Sequence, residues 1–256
     1  MTLSKFFCLA LLCVSVFSPL ALADKGNFFD DVGDGYHRFY HSDNAPWLGA
    51  TWLLGGIMAN TDIDRKIQDA YNEYIWSETT DDVARIVKTF GDTETVWLYA
   101  GLAAYNRLAC DRDCGRIPEW GDKSLQAILI GLPAVWSSQA ILGGDRPYRG
   151  NSFWTPFQFG RQHAVSGHAF VGAVPFLTAA QMTDNDAAKG VLYLMSTLTA
   201  WSRLNDQKHY FSQALMGWLY ASKATEAVDV PVEAGEVVIV PYADDNRVSL
   251  TLMTRF

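Results

Sequence analysis

From residue 46 onward the apolar positions of this chain fall at helical spacing. Residues 46–60 are apolar on every side, and the Gly55-Gly56 pair inside them admits close packing. Over 62–76, Ile63, Ile67, Tyr71 and Ile75 recur every fourth residue, which predicts an amphipathic helix with one buried stripe. Thr80-Asp81-Asp82 reads as the N-terminal cap of a helix over 83–90. Further helices are predicted over 93–108, 123–142, 170–182, 187–202 and 210–227. The pattern predicts an all-α bundle of about seven or eight helices between residues 46 and 227.

Two stretches leave that register. Residues 24–45 are polar and aromatic, rich in Gly and Asp, and read as an irregular lead-in. At the other end, 236–240 and 248–253 are β-branched and apolar, with Pro241 to Asn246 between them. They predict a small C-terminal β-hairpin in a tail over 228–256. One hairpin cannot close a membrane barrel, so it is expected to pack on the helical domain.

The longest apolar stretch, 124–142, carries Gln126, Pro133, Ser137, Ser138 and Gln139. The others fall short of the roughly 20 residues a bilayer span requires. Buried helices of a soluble bundle are expected, and the abundance of Trp, Tyr and Phe leaves a peripheral membrane contact open.

Ahead of the lead-in, Lys5, the apolar run 6–17 and the small-residue ending Ala21-Leu22-Ala23 have the form of a secretory leader over residues 1–23, cleaved before Asp24. Export to a periplasm follows, with outer-membrane association as a further station. Cys8 and Cys13 leave with the leader, and Cys110 and Cys114 stay. In an oxidising compartment this close pair is expected to form a structural disulfide. Helical spacing sets the two Cα atoms about 6 Å apart, near the outer limit for a bridge. Gly115 and Pro118 suggest a loop there instead, and a metal site is the rival reading.

The formal net charge of −8, without a basic run, argues against a nucleic-acid partner. Any anion site must be local. Three short stretches offer one: Arg146-Pro147, then Ser166-Gly167-His168 after Val165, then Ser202-Arg203 with His209 behind it. Arginine forks meet phosphate oxygens in pairs. A Ser-Gly step ahead of a helix presents free amides and a favourable dipole. One histidine can donate a proton and the other can attack. Gln213, one turn after His209, can accept from its Nδ1–H and fix the tautomer.

These residues resemble the type 2 phosphatidic acid phosphatase superfamily, which includes bacterial acid phosphatases and vanadium haloperoxidases. The resemblance spans Gln139 to Gln213, with Gln139 at the family's lysine position and Gln213 at its aspartate position. It implies that family's helical bundle, His209 as a nucleophile forming a phosphohistidine, and His168 as general acid. Arg146, Ser166, Gly167 and Arg203, with Gln139, would hold the phosphate. The substrate implied is a small phosphorylated molecule or a lipid headgroup; no metal or other cofactor is implied, with vanadate as a phosphate mimic. Two uncharged glutamines replace a cation and an anion, and Arg149, Arg161 or Lys208 are candidates for the missing cation. Alternative readings are a weakened or inactive anion binder, a vanadate-dependent peroxidase, and an envelope protein docked by its hairpin. His163 reads as a core or pocket-lining residue. His37 and His41 read as solvated or packed, with metal ligation as their alternative.

Overall fold

The computed structural model describes residues 27–110, 114–158 and 160–228, together with the backbone of 237–243 and 248–254. The leader expected over 1–23 lies outside the described residues. In chain order the helices are α1 (Phe28–Phe39), α2 (Ala45–Ala59), α3 (Ile63–Tyr74), α4 (Glu78–Val87) and α5 (Thr93–Ala104). They continue with α6 (Arg116–Leu142), α7 (Gly167–Gln181), α8 (Asp186–Ser196), α9 (Leu198–Asn205) and α10 (Phe211–Glu226).

Helix α7 is the centre of this all-helical fold. Every residue from Ala169 to Ala180 is buried, the pattern of a helix with protein on all sides. Helices α6, α8, α9 and α10 pack around it. Phe170, Val174 and Leu177 anchor those contacts, and burying each such side chain is worth about 1.5–3 kcal/mol. Gly131, Gly172 and Gly217 let the neighbours close in. A Cβ at Gly217 would lie 2.4 Å from the Ser166 carbonyl, so α10 could not reach the start of α7 with a larger residue.

The stretch read as an irregular lead-in is helical. Asn27 caps α1 by accepting from the Phe29 amide, Asp30 and Asp31 fill its first turn, and Arg38 lies in its last, each charge matched to the helix dipole. The Asp-rich composition that suggested a loop is a helix start. Gly35 serves packing, since its Cβ would strike the Ile130 side chain. Helix α1 also repairs α6. Pro133 has no N–H for the Leu129 carbonyl, and the Tyr36 hydroxyl donates to that carbonyl at 2.8 Å.

Other boundaries move for local reasons. Helix α4 is capped at Ser77, three residues ahead of the expected Thr80. The Ser77 hydroxyl takes the Thr80 amide, and the Thr80 hydroxyl takes the Ser77 amide. Helix α6 starts at Arg116, not Lys123, with Pro118 tolerated in its first turn. The single helix expected over 187–202 is interrupted at Thr197, where Ser196 and Thr197 hydroxyls bond back to the Tyr193 and Leu194 carbonyls. Cys110 and Cys114, between α5 and α6, form a disulfide with Cα atoms 6.0 Å apart. Among the described residues, the one stretch long and apolar enough to cross a membrane runs from Arg116 to Arg149, and 61% of its most apolar window is buried inside the molecule.

Near the C-terminus, β1 (Val237–Ala243) and β2 (Val248–Thr254) pair antiparallel, from Val237 opposite Thr254 to Ala243 opposite Val248. Pro241 was expected in the turn and lies within β1 instead, opposite Leu250. A two-stranded ribbon has an outer edge on each strand, where a missing N–H costs no ladder bond.

Candidate functional site

Three turns deliver the side chains. After α6, Gly143 and Gly144 take φ of +72° and +95°. A Cβ at Gly143 would lie 2.1 Å from the Thr155 carbonyl oxygen, so glycine is required there by space as well as by φ. The reversal presents Arg146. Asp145 is buried, and its Oδ1 accepts from the Arg146 amide at 3.0 Å and from Arg149 at 3.1 Å, fixing the loop.

The second turn opens α7. Ser166 is its N-cap, with its hydroxyl accepting from the Ala169 amide at 3.2 Å. The Ser166 amide donates to the Gln213 carbonyl at 2.9 Å, which ties this turn to α10. Ser166 is fully buried, while Gly167 is partly open and His168 exposed. The Gly167 and His168 amides lie in the first turn, where a helix offers donors that its own ladder cannot use.

The third turn explains why five residues separate Arg203 from His209. Helix α9 ends in a Schellman motif: Gln207 N donates to Leu204 O at 3.1 Å and Lys208 N to Arg203 O at 3.0 Å. Gln207 holds the left-handed position at φ 52°. The chain folds back until the His209 amide also reaches the Arg203 carbonyl, at 3.1 Å. Arg203 and His209 are thereby set side by side, both buried. Tyr71 and Asp81, from α3 and α4, hold this turn through Asn205 at 2.8 Å and 2.7 Å.

Gln213 decides the state of His209. Its Nε2 donates to the Asp145 carbonyl at 2.8 Å, and its Oε1 accepts from the Tyr210 amide at 3.2 Å, so the orientation of the amide is settled. The 3.0 Å contact from Oε1 to His209 Nδ1 is then an Nδ1–H donation. Nε2 is left as the lone-pair nitrogen of the ring. Burial, opposed by the Gln213 bond and aided by Arg203, Arg146 and His163, lowers the His209 pKa to about 3. The ring is neutral across ordinary pH.

Arg146 and Arg203 each act electrostatically on His168 and on His209, and Arg146 acts on Arg203. The Arg146 charge lowers the pKa of Arg203, His168 and His209, after burial as the leading cause in each. Both arginines keep a buried Nε without a hydrogen-bond partner. Arg203 has one carboxylate beside it, Asp206 at 3.3 Å. His168 faces Asp92, with Nε2 to Oδ1 at 3.4 Å. Asp92 raises the His168 pKa, but the packing of protein around part of this otherwise accessible ring, together with Arg203, prevails and the net shift is downward.

No protein-family model, curated protein or solved structure matches this chain. The side chains themselves carry the functional reading. Among the residues proposed from sequence, His209 is bonded to Gln213 and to the Arg203 carbonyl, Ser166 is tied to Gln213, and Arg146 and His168 lie within electrostatic reach of Arg203.

Gln139, expected among the phosphate-holding residues, donates from its Nε2 to the Val165 carbonyl at 2.7 Å. That bond holds the Val165–Ser166 turn through the backbone and uses one of the two hydrogens on Nε2. Of the candidate substitute cations, Arg149 pairs with Asp145 at 3.1 Å and Arg161 approaches the same carboxylate at 3.8 Å. Lys208 lies over the Tyr148 ring at 5.8 Å. His163 does line the site, its ring 6.2 Å from that of His209.

Asp92 and Asp145 were missed. Asp145 had a faint signal as the acid next to Arg146; Asp92 comes from the start of α5, remote in sequence, and had none. No group of three or more His, Cys, Asp or Glu side chains suited to a metal occurs among the described residues.

Proposed function

We propose that this chain is an exported phosphatase that cleaves phosphomonoesters or lipid phosphates through a phosphohistidine on His209. The observation that carries the reading is the pair of buried, unpartnered arginine Nε donors beside a neutral histidine whose Nε2 holds its lone pair. Buried donors without partners are rare in native proteins. A phosphoryl group supplies acceptors for both, along with the Gly167 and His168 amides. The resemblance to type 2 phosphatidic acid phosphatases supports the same assignment, and the disulfide suits an exported chain.

In this reading the His209 Nε2 lone pair forms a P–N bond as the bond from phosphorus to the leaving oxygen breaks. His168 gives that oxygen its proton. Neutral His168 then takes a proton from water as the water oxygen bonds to phosphorus, and the P–N pair returns to His209. Arg146 and Arg203 hold the non-bridging oxygens, where charge accumulates in the transition state. Gln213 steadies the ring as it becomes cationic, but without the charge of a carboxylate. A charged hydrogen bond is about twice as strong as a neutral one, so slow turnover is expected.

The test is hydrolysis of p-nitrophenyl phosphate by the purified mature protein. His209→Ala should lower kcat/KM by roughly 10³-fold or more. Alkali-quenched wild type should carry base-stable phosphate that acid releases, and the variant should carry none. Full activity in His209→Ala would refute the mechanism. The neutral Gln213 favours one second reading, an anion binder without turnover. Wild type that binds phosphate yet never releases p-nitrophenol would establish it.

A further inference from the structure

An open groove of about 660 Å³ lies beside the site and shares Asp206 with it, through the Arg203–Asp206 ion pair. Its wall continues through Lys208, next in sequence to His209, and Tyr148, two residues after Arg146. The volume suits a small organic molecule and far exceeds what one phosphate needs.

The lining has a definite chemistry. Its cations are Arg85, Lys88 and Lys208. Neither lysine is ion-paired among the described residues, and Arg85 has only a surface pair with Asp82 at 3.0 Å. The two acids of the lining are occupied. Asp206 faces Arg203, and the Oδ1 of Asp81 accepts from Asn205 at 2.7 Å and Trp76 at 3.0 Å. That last bond tethers the Trp76 indole, so a flat ring is held at the groove. Tyr148 is the second aromatic, with Lys208 at 5.8 Å from its centroid. Among the described residues, no Ala, Val, Leu, Ile or Met lines the groove.

Resting on the phosphatase reading, we infer that the substrate is a water-soluble phosphomonoester with a flat ring and a second anionic group, and that this groove receives both. The scissile phosphate occupies the arginine site, the ring lies against Trp76 and Tyr148, and the second anion meets Lys88 and Lys208. The apolar wall consists of the Trp76 and Tyr148 rings and the stems of Arg85, Lys88 and Lys208, a surface that fits a flat ring with a second anion better than a long acyl chain.

Calorimetry on the full mature protein tests this with inorganic phosphate, glycerol 3-phosphate, adenosine 3′,5′-bisphosphate and dioctanoyl phosphatidate. The bisphosphate should bind at least tenfold tighter than glycerol 3-phosphate, and kcat/KM should follow the same order. In Lys88→Gln with Lys208→Gln, two exposed or half-exposed positions, that ratio should fall below threefold. Equal affinity for all the phosphates would overturn the groove assignment and leave the arginine site standing. So would a preference for the phosphatidate, or a bisphosphate advantage that survives the double variant. Absence of binding by every ligand, inorganic phosphate included, would remove the phosphatase reading and the groove with it.

Discussion

Gln213 shows how one side chain replaces a charge with geometry. Its amide uses both ends, donating to the Asp145 carbonyl and accepting from His209 and Tyr210. An aspartate there could accept but not donate, and would leave the Asp145 carbonyl unmet at a cost of about 1–3 kcal/mol. The pairing of His209 with Gln213 was visible in sequence, because an i,i+4 spacing on a helix puts both on one face. The Asp145 contact was not, since it joins a loop to a distant helix.

The same burial sets a pH dependence. The folded His209 pKa is about 3, against 6.5 for an ordinary imidazole. Between those values the unfolded chain binds a proton that the folded chain refuses, so stability rises with pH. This contribution is complete above pH 6.5 and is lost as pH falls toward 3. His163 and His168 are shifted in the same direction and add to the slope. His209→Asn keeps an N–H for Gln213 but cannot titrate. Relative to its own stability at pH 7.5, the variant should lose roughly 2–3 kcal/mol less than wild type at pH 4.5. Urea unfolding at the two pH values measures this, and parallel losses would mean that His209 titrates normally.

At the scale of elements, helix existence and type were legible by a 3.6-residue apolar period in segments such as 63–74, and by the length of apolar runs in segments such as 46–60 and 170–182. Boundaries were less so. Asp-rich 27–31 resembles a loop until it is seen as a capped first turn, and Pro118 resembles a breaker until it is placed in one. The Arg203-to-His209 spacing was legible as a motif but not as a turn, because its left-handed residue is Gln207 rather than glycine. That conformation costs a non-glycine residue about 1–2 kcal/mol, partly offset by the extra chain entropy glycine loses on folding. Gln207→Gly should therefore stabilise the protein by about 0.5–1 kcal/mol. Thermal unfolding decides it. A lower Tm would mean that the Gln207 side chain makes a compensating contact in the turn.

For the whole molecule, the arginine site is a local debt in a net-acidic chain. Arg146 depresses the pKa of Arg203, and each keeps a buried donor without a partner, so the ligand-free fold carries a repulsion that an anion would relieve. Binding to the folded state alone stabilises it by about 2.7 kcal/mol at a hundredfold excess over Kd. For a domain of this size that corresponds to a rise in Tm of roughly 5–10 °C. Phosphate should produce the rise, and sodium chloride at matched ionic strength should not, which separates specific binding from screening. Arg146→Ala should abolish the phosphate-dependent shift. Without phosphate, the same variant should match wild type or exceed it by up to about 1 kcal/mol, because it removes a like charge and an orphaned donor together. That combination belongs to a residue kept for its ligand. An Arg146→Ala protein that loses more than about 2 kcal/mol without phosphate, yet retains the full phosphate shift, would make Arg146 a structural residue and place the anion elsewhere.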